Sequence, residues 1–185
     1  MVIGLTPHDE SEAEEPSVSI EMLVSPVVRS MSGENARWYD LSGQPLAVLL
    51  HGKETDGRIA AVEVVETRGK HPPRHVHHRH DELHYVLEGE FTFEVDGRRS
   101  FAPAGTLVFV PRGAEHGWVI EREPARLLVV CTPGGLEEGF LATSQPAWSL
   151  DPATRPGPAS ASPGPIHDAE RFDSEVTGLP VEPGR

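Results

Sequence analysis

The sequence predicts an all-β fold, and two observations carry that prediction. First, strand-like apolar segments at residues 37–43, 45–52 and 58–68 are separated by glycine-containing turns, with a typical hairpin dipeptide at Asp56-Gly57. Second, residues 90–95 alternate between apolar and polar side chains before a second Asp-Gly turn at 96–97, as expected of a strand with one buried face. We therefore expect one small β-barrel domain.

Composition changes along the chain predict how that domain is bounded. Residues 1–16 are acidic and carry no Lys or Arg, which predicts a flexible tail. We assign residues 17–143 to the barrel, with 17–28 as an N-terminal strand and 135–143 as a short helix. Residues 144–185 form a Pro/Gly-rich C-terminal extension, in which 151–165 are loosely packed and 167–178 form one or two helical turns.

Charge and cysteine content limit the partners and the cellular location that we expect for the protein. The 185 residues include 16 Lys and Arg against 29 Asp and Glu, a formal net charge of -13. Such a surface repels nucleic-acid phosphates, so we expect no nucleic-acid partner. One cysteine, Cys131, excludes an intrachain disulfide framework. We expect neither a signal peptide nor a membrane-spanning segment, and a cytoplasmic location follows from these expectations.

The stretch from His71 to Gly89 holds the candidate functional residues. It contains six of the ten histidines, together with Asp81 and Glu82. Neutral imidazole and carboxylate are preferred ligands of divalent first-row metals. On a strand His75 and His77 point to the same face, whereas Glu82 joins them only if the polar residues between them bend.

Two spaced motifs then identify the family that the sequence resembles. The pattern His-x-His, four residues, Glu, six residues, Gly is similar to the first cupin motif. Its positions here are His75, His77, Glu82 and Gly89. The pattern Gly, five residues, Pro-x-Gly, two residues, His is similar to the second motif. Its positions are Gly105, Pro111, Gly113 and His116. The second motif usually closes on Asn, where this chain has Ile120.

The resemblance covers roughly residues 36–140 and is strongest to small single-domain, quercetin dioxygenase-like cupins. It implies a double-stranded β-helix, the jelly-roll barrel, with one divalent transition metal per chain: Fe, Mn, Ni, Cu or Zn. His75, His77, Glu82 and His116 would be the ligands. It also implies oxidative cleavage of a small phenolic, enol or polyketide-like substrate, with Glu82 as both ligand and base for the substrate hydroxyl.

Other interpretations of the same residues stay open. A redox-inert ion could polarise a carbonyl and catalyse cyclisation or isomerisation without dioxygen, as in cupins that act as polyketide cyclases. The protein could also be a non-catalytic small-molecule binding cupin. A purely structural zinc site is disfavoured because such sites are usually rich in Cys, and a histidine-rich tract can be a solvated loop without ligand function.

His84 is the position where the sequence departs from its look-alikes, which commonly carry Phe there. It lies two residues after Glu82, so we expect it on the same strand face, beside the metal. One hypothesis makes His84 a catalytic group that orients Glu82 or shuttles a proton. The other makes it a packed residue bonded to a backbone carbonyl.

Three segments predict an apolar surface on the outside of the barrel. Residues 106–111 and 126–133 are apolar on both faces, and Leu83, Tyr85 and Leu87 face away from Glu82. An outward apolar face needs a cover. A homodimer is the simplest cover and agrees with the cupin resemblance; the alternative is that the N-terminal strand and the C-terminal segment supply it.

Overall fold

The computed structural model of the protein describes residues 27–28, 38–41, 43–147 and 173–183. Within these residues the chain forms ten strands and two short helices. The strands are β1 (Trp38–Leu41), β2 (Gln44–Leu50), β3 (Ala60–Glu66), β4 (Pro73–Val76), β5 (Asp81–Val95), β6 (Arg98–Pro103), β7 (Leu107–Val110), β8 (His116–Thr132), β9 (Gln145–Ala147) and β10 (Glu175–Pro180). A 3-10 helix spans Gly52–Glu54, and α1 spans Glu137–Thr143.

The strands form one antiparallel sheet that folds around a core. Its order is β10-β4-β8-β3-β2-β1-β9, and β5 joins it by pairing with β6, β7 and β8. The two longest strands, β5 and β8, pair along nearly their whole length, from Asp81 opposite Thr132 to Val95 opposite His116. The expected all-β jelly-roll fold is confirmed.

A glycine makes the bend of β5 possible. The register of β5 on β8 shifts between Val86 and Phe91, where both strands curve from one half of the barrel into the other. Gly89 sits in this bend with φ +88, and a Cβ there would lie 2.6 Å from the carbonyl oxygen of Pro124. The last glycine of the first motif therefore serves the close approach of two backbones.

The core follows from strand alternation. Side chains two apart on β5 and β8 face inward and are fully or nearly fully buried, while their neighbours face outward. The largest buried apolar side chains are Phe91, Phe93, Leu46, Leu127, Leu136, Val62 and Val86. Burying a side chain of this size stabilises the fold by about 1.5–3 kcal/mol. In the described residues, no helix is long and apolar enough to cross a membrane.

The ends of the domain differ in part from the sequence prediction. α1 begins at Glu137 and lies within the predicted helix 135–143, with Leu136 buried and Phe140 packed on the core. The predicted helical turns in 167–178 are wrong where the structure describes them, because residues 175–180 form β10. The tail 1–16, most of the N-terminal strand 17–28 and the segment 151–165 lie outside the described residues.

Glu66 is a buried carboxyl at one end of the barrel. It shares a strand face with the core residue Val62 and is 5% exposed. The side-chain amide of Gln44 donates to its Oε2 at 2.7 Å. Burial raises the pKa of Glu66 to about 7, against smaller opposing effects of Gln44 and Trp118.

This pKa makes stability fall as pH rises. The unfolded chain ionises Glu66 near its ordinary pKa of 4.5, whereas the folded chain keeps the proton until about 7. Between these values the unfolded state binds fewer protons, so the free energy of unfolding decreases with pH. We predict that Glu66→Gln removes this loss and raises stability at pH 8 by about 3 kcal/mol.

Urea denaturation of the parent protein and of Glu66→Gln at pH 5 and pH 8 measures the change in the free energy of unfolding. Glu182→Gln, which neutralises an exposed carboxylate, is the matched control and should follow the parent protein. Parallel pH profiles for Glu66→Gln and the parent would show that Glu66 is not protonated in the folded state.

Candidate metal centre

The first two candidate ligands come from β4 and the residue after it. His75 faces inward on β4, Val76 faces the other way, and His77 follows the end of the strand. The chain then bends at residues 78 and 79 before β5 begins at Asp81. This is the bend that the sequence required to bring Glu82 to the same side as the two imidazoles.

The third imidazole comes from the start of β8. His116 is the register partner of His75 across the β4–β8 pair. The turn that delivers it is bonded to the first motif, because the amide of Gly113 donates to the carbonyl oxygen of His77 at 2.7 Å. The two motifs are therefore fixed to each other by backbone contacts as well as by the sheet.

The four predicted side chains converge. His75, His77, Glu82 and His116 each offer one ligand atom, and these atoms all lie within 4.8 Å of one another. The Oε2 atom of Glu82 is 2.9 Å from Nε2 of His116 and 3.6 Å from Nε2 of His77. The rings of His75 and His116 lie 4.2 Å apart between centroids. Only His75 is partly exposed.

The surroundings favour the metal-binding protonation states of His75 and Glu82, whereas at His116 the neighbouring Glu82 carboxylate outweighs burial and raises the pKa of the ring. Burial, with the neighbouring His116 and His77, lowers the pKa of His75 to about 3, so this ring is neutral at physiological pH. Burial opposes ionisation of Glu82, but the imidazoles of His84 and His116 outweigh it and hold the pKa of Glu82 well below its usual range. The centre thus combines a neutral imidazole with a carboxylate.

The residues present fit a divalent transition metal. Glu82 Oε2 and His116 Nε2 are buried 2.9 Å apart without the angular geometry of a hydrogen bond, which is costly unless another group satisfies them. The Nδ1 atoms of His75, His77 and His116 each contact a backbone carbonyl, which leaves every Nε2 for a metal. Imidazole with one carboxylate suits several first-row ions.

His84 lies beside this group of four. It is 1% exposed, and its Nε2 is 3.5 Å from Glu82 Oε2. Its ring contacts Phe93 and Trp118 at centroid distances of 5.3 and 5.2 Å. Neither ring nitrogen has a hydrogen-bond partner, so the backbone carbonyl contact of the packing hypothesis is not present.

Three further residues at the centre were missed by sequence analysis. Trp118 is on the same face of β8 as His116, and its position two residues later could have indicated this. Cys131 is the register partner of Glu82, with Sγ 4.0 Å from Oε1. Asp173 contacts His77 from the far end of the chain, and no local pattern predicts such a contact.

Comparison with known proteins places this geometry in a family. A cupin domain model matches residues 61–131. The quercetin 2,3-dioxygenase of Bacillus subtilis is 29% identical over 116 residues, which is 62% of this chain and 34% of that protein. The chain therefore spans about a third of the length of this curated relative.

Two solved structures are also similar to this chain. An RmlC-like cupin from Shewanella frigidimarina is 30% identical, with 55% of this chain and 87% of that chain covered and a TM-score of 0.48. A protein of Thermotoga maritima described as a predicted oxalate decarboxylase is 23% identical, with 58% and 99% covered and a TM-score of 0.50, a likeness in fold. From its two motifs, its barrel and its sequence relatives, the chain belongs to the cupin superfamily.

Proposed function

We propose that the protein is a metal-dependent cupin enzyme that oxidatively cleaves a small phenolic, enol or polyketide-like substrate, as a dioxygenase of the quercetin dioxygenase-like group. The observation that carries the proposal is the convergence of four ligand atoms within 4.8 Å inside the barrel. His84, with two unpaired ring nitrogens beside Glu82, adds a group that can move a proton. The similarity to the Bacillus subtilis dioxygenase supports this choice of chemistry.

His75, His77, Glu82 and His116 would hold one ion of Fe, Mn, Ni, Cu or Zn per chain. A redox-active ion bound there supplies Lewis acidity and a route for electrons from an electron-rich substrate to dioxygen. The protein's own groups supply the rest. The Glu82 carboxylate is ionised and can accept the proton of a substrate hydroxyl.

His84 extends that proton path. Its Nε2 is 3.5 Å from Glu82 Oε2, close enough to take the proton onward or to orient the carboxylate. Phe93 and Trp118 pack against its ring and, with the buried strand faces around them, keep water from the reacting atoms. Glu82 and His84 are therefore the proposed catalytic groups.

The Glu82–His84 pair also favours a second candidate function. A base and a neighbouring imidazole can move a proton from one substrate atom to another without dioxygen, which is the chemistry of a cupin cyclase or isomerase. A non-catalytic binding cupin would use the same pocket without turnover. Metal analysis of untagged protein, followed by oxygen-electrode assays on candidate enols and phenols, separates these functions. Oxygen consumption matched to substrate loss supports the dioxygenase, and undiminished anaerobic turnover overturns it.

The ligand assignment makes a first prediction. We expect His77→Ala and His116→Ala to lose tightly bound metal, because a site of this kind holds its ion only when the fold places all ligands. Metal per chain, measured by inductively coupled plasma mass spectrometry, should fall from about one to a small fraction. Far-UV circular dichroism should remain that of a β-rich protein.

A neighbouring histidine provides the control. His78 is exposed, and its Nε2 lies 2.7 Å from Glu175 outside the centre, so His78→Ala should keep the full metal content. Equal metal in all three variants would show that the ion is not bound by these side chains.

The role of His84 makes a second prediction. His84→Phe keeps the ring volume and removes the proton-transfer group, so metal content should be preserved while kcat falls about 100-fold or more. Steady-state kinetics and metal analysis on the same preparation measure both quantities. If His84→Phe has the turnover of the parent protein, His84 is a packing residue and not a catalytic group.

We also propose that the protein forms a homodimer through the outer face of β5, β7 and β8. Tyr85 on β5 lies between Leu107 on β7 and Leu128 on β8, and Leu83 lies between Phe109 and Val130 in the same way. Leu107 and Phe109 are 60% and 56% exposed. An exposed apolar patch across three strands can pair with a second copy of itself in a two-fold dimer.

Charge on this patch should separate the subunits. We predict that Phe109→Glu converts the protein from a dimer to a monomer of 20.1 kDa, because a carboxylate would be buried without a partner. Size-exclusion chromatography with light scattering gives the mass. Phe101→Glu is the matched control, since Phe101 is 60% exposed but opposite Thr92, in the other half of β5. A monomeric parent protein would refute the proposed dimer.

The remaining parts of the proposal concern partners and place. A small-molecule substrate is the expected ligand, and the net charge of -13 disfavours nucleic acid. We propose a cytoplasmic location, supported by the acidic composition and the single buried cysteine.

A further inference from the structure

The three candidate histidine ligands are oriented by the same kind of contact. Nδ1 of His75 lies 2.8 Å from the carbonyl oxygen of Pro73, and Nδ1 of His116 lies 3.1 Å from that of Ala114. A ring that donates its Nδ1 proton to a carbonyl has its Nε2 lone pair free for a metal. For these two rings the acceptor is two residues earlier on the chain, so it belongs to the same local segment as the ring.

For His77 the carbonyl comes from a distant part of the chain. Its Nδ1 lies 2.8 Å from the carbonyl oxygen of Asp173, which is 96 residues further along the chain. The hydroxyl of Ser174 is a second neighbour of the same nitrogen, at 3.3 Å. The tautomer and orientation of one candidate ligand therefore depend on the C-terminal segment rather than on the motif that contains it.

The side chain of Asp173 fixes that segment in place. One carboxylate oxygen, Oδ2, accepts from the backbone amide of Arg79 and from Nδ1 of His80, both at 2.7 Å. The other, Oδ1, accepts from Nε of Arg79 at 3.2 Å. Asp173 is 6% exposed, and its φ of 62 is one that Asp, Asn and Gly tolerate better than other residues. The carboxylate is thus hydrogen-bonded to the bend between β4 and β5, the two strands of the first motif.

The rest of the segment reinforces this attachment. β10 pairs with β4, with Val176 opposite His75 and Glu175 opposite Val76. Beyond the strand, Val181 is fully buried, and a Cβ at Gly117, the residue after His116, would lie 3.0 Å from its side chain. The segment 173–181 therefore lies against all three histidine positions of the candidate centre.

We propose that Asp173 is a positioning residue of the metal centre. Its carboxylate locks the C-terminal segment onto the bend at Arg79 and His80, and this lock holds the Asp173 carbonyl at Nδ1 of His77, so that Nε2 of His77 faces the metal. The inference rests on the metal site proposed above. It assigns to the C-terminal extension a function in the centre, whereas the family motifs account only for the ligands themselves.

Two substitutions at Asp173 test this positioning in the full-length protein. Asp173→Gly keeps the backbone conformation accessible and removes the carboxylate, so the carbonyl loses its nearest attachment to the bend at Arg79 and His80. Asp173→Asn also tolerates the backbone conformation and keeps one oxygen for the Arg79 amide and His80. We expect Asp173→Gly to weaken the binding of Zn²⁺ or Co²⁺ about 10- to 100-fold and Asp173→Asn to recover most of that loss.

The matched control is Glu175→Gln. Glu175 belongs to the same segment, but its carboxylate contacts the exposed His78 and none of the candidate ligands. Competition titrations with a chromophoric chelator give the metal dissociation constants. Spectra of metal-free protein labelled with ¹⁵N-histidine report the His77 tautomer directly, as a ring proton on Nδ1 in the parent protein that becomes mixed between the two nitrogens in Asp173→Gly.

The outcomes separate the two proposals. If the parent protein binds no metal, the site itself is wrong. If it binds metal and Asp173→Gly has the parent affinity and the parent His77 spectrum, the site stands and the positioning by Asp173 is wrong. If Asp173→Gly loses its β-rich circular dichroism, the His77 spectrum of Asp173→Asn decides instead. We expect that spectrum to show the ring proton on Nδ1. A folded Asp173→Asn that has a mixed His77 tautomer and the metal affinity of the parent protein overturns the inference.

Discussion

The antiparallel register of β4, β5 and β8 is the constraint on which the rest of the structure depends. It sets His75 opposite His116 and places Glu82 on the inner face of the neighbouring strand. Side chains alternate along a strand, so a slip by one residue would send each ligand to the outside of the barrel. The bend at Gly89 and the turn at Gly113 fix this register where the strands change direction.

Burying the four polar side chains of the candidate metal centre is costly, and their hydrogen bonds show how that cost is offset. Three imidazoles and a carboxylate lie where the barrel would otherwise hold apolar side chains. Each imidazole has one nitrogen bonded to a backbone carbonyl, while the atoms that face Glu82 Oε2 depend on one another or on a bound ion. A bound metal would therefore stabilise the fold as well as supply chemistry, since it satisfies atoms that the protein leaves unpaired.

Local patterns predicted the part of this centre that local geometry determines. The alternation of His75 and His77, the bend before Glu82 and the inward position of His84 all follow from strand periodicity, and each is present in the structure. The strand β10 was not predicted, because residues 175–180 have little apolar periodicity and form a strand only by pairing with β4. Asp173 was missed for the same reason, since its partners are distant in the sequence.

The same alternation connects the interior of the barrel to its surface. On β5, Glu82, His84 and Val86 face inward, so Leu83, Tyr85 and Leu87 must face outward. The strand cannot change one set of contacts without shifting the other, because both are attached to one backbone. A cover over the outer apolar face would therefore restrain the strand that carries Glu82. In the homodimer proposed above, subunit association would therefore be coupled to the geometry of the metal centre through β5.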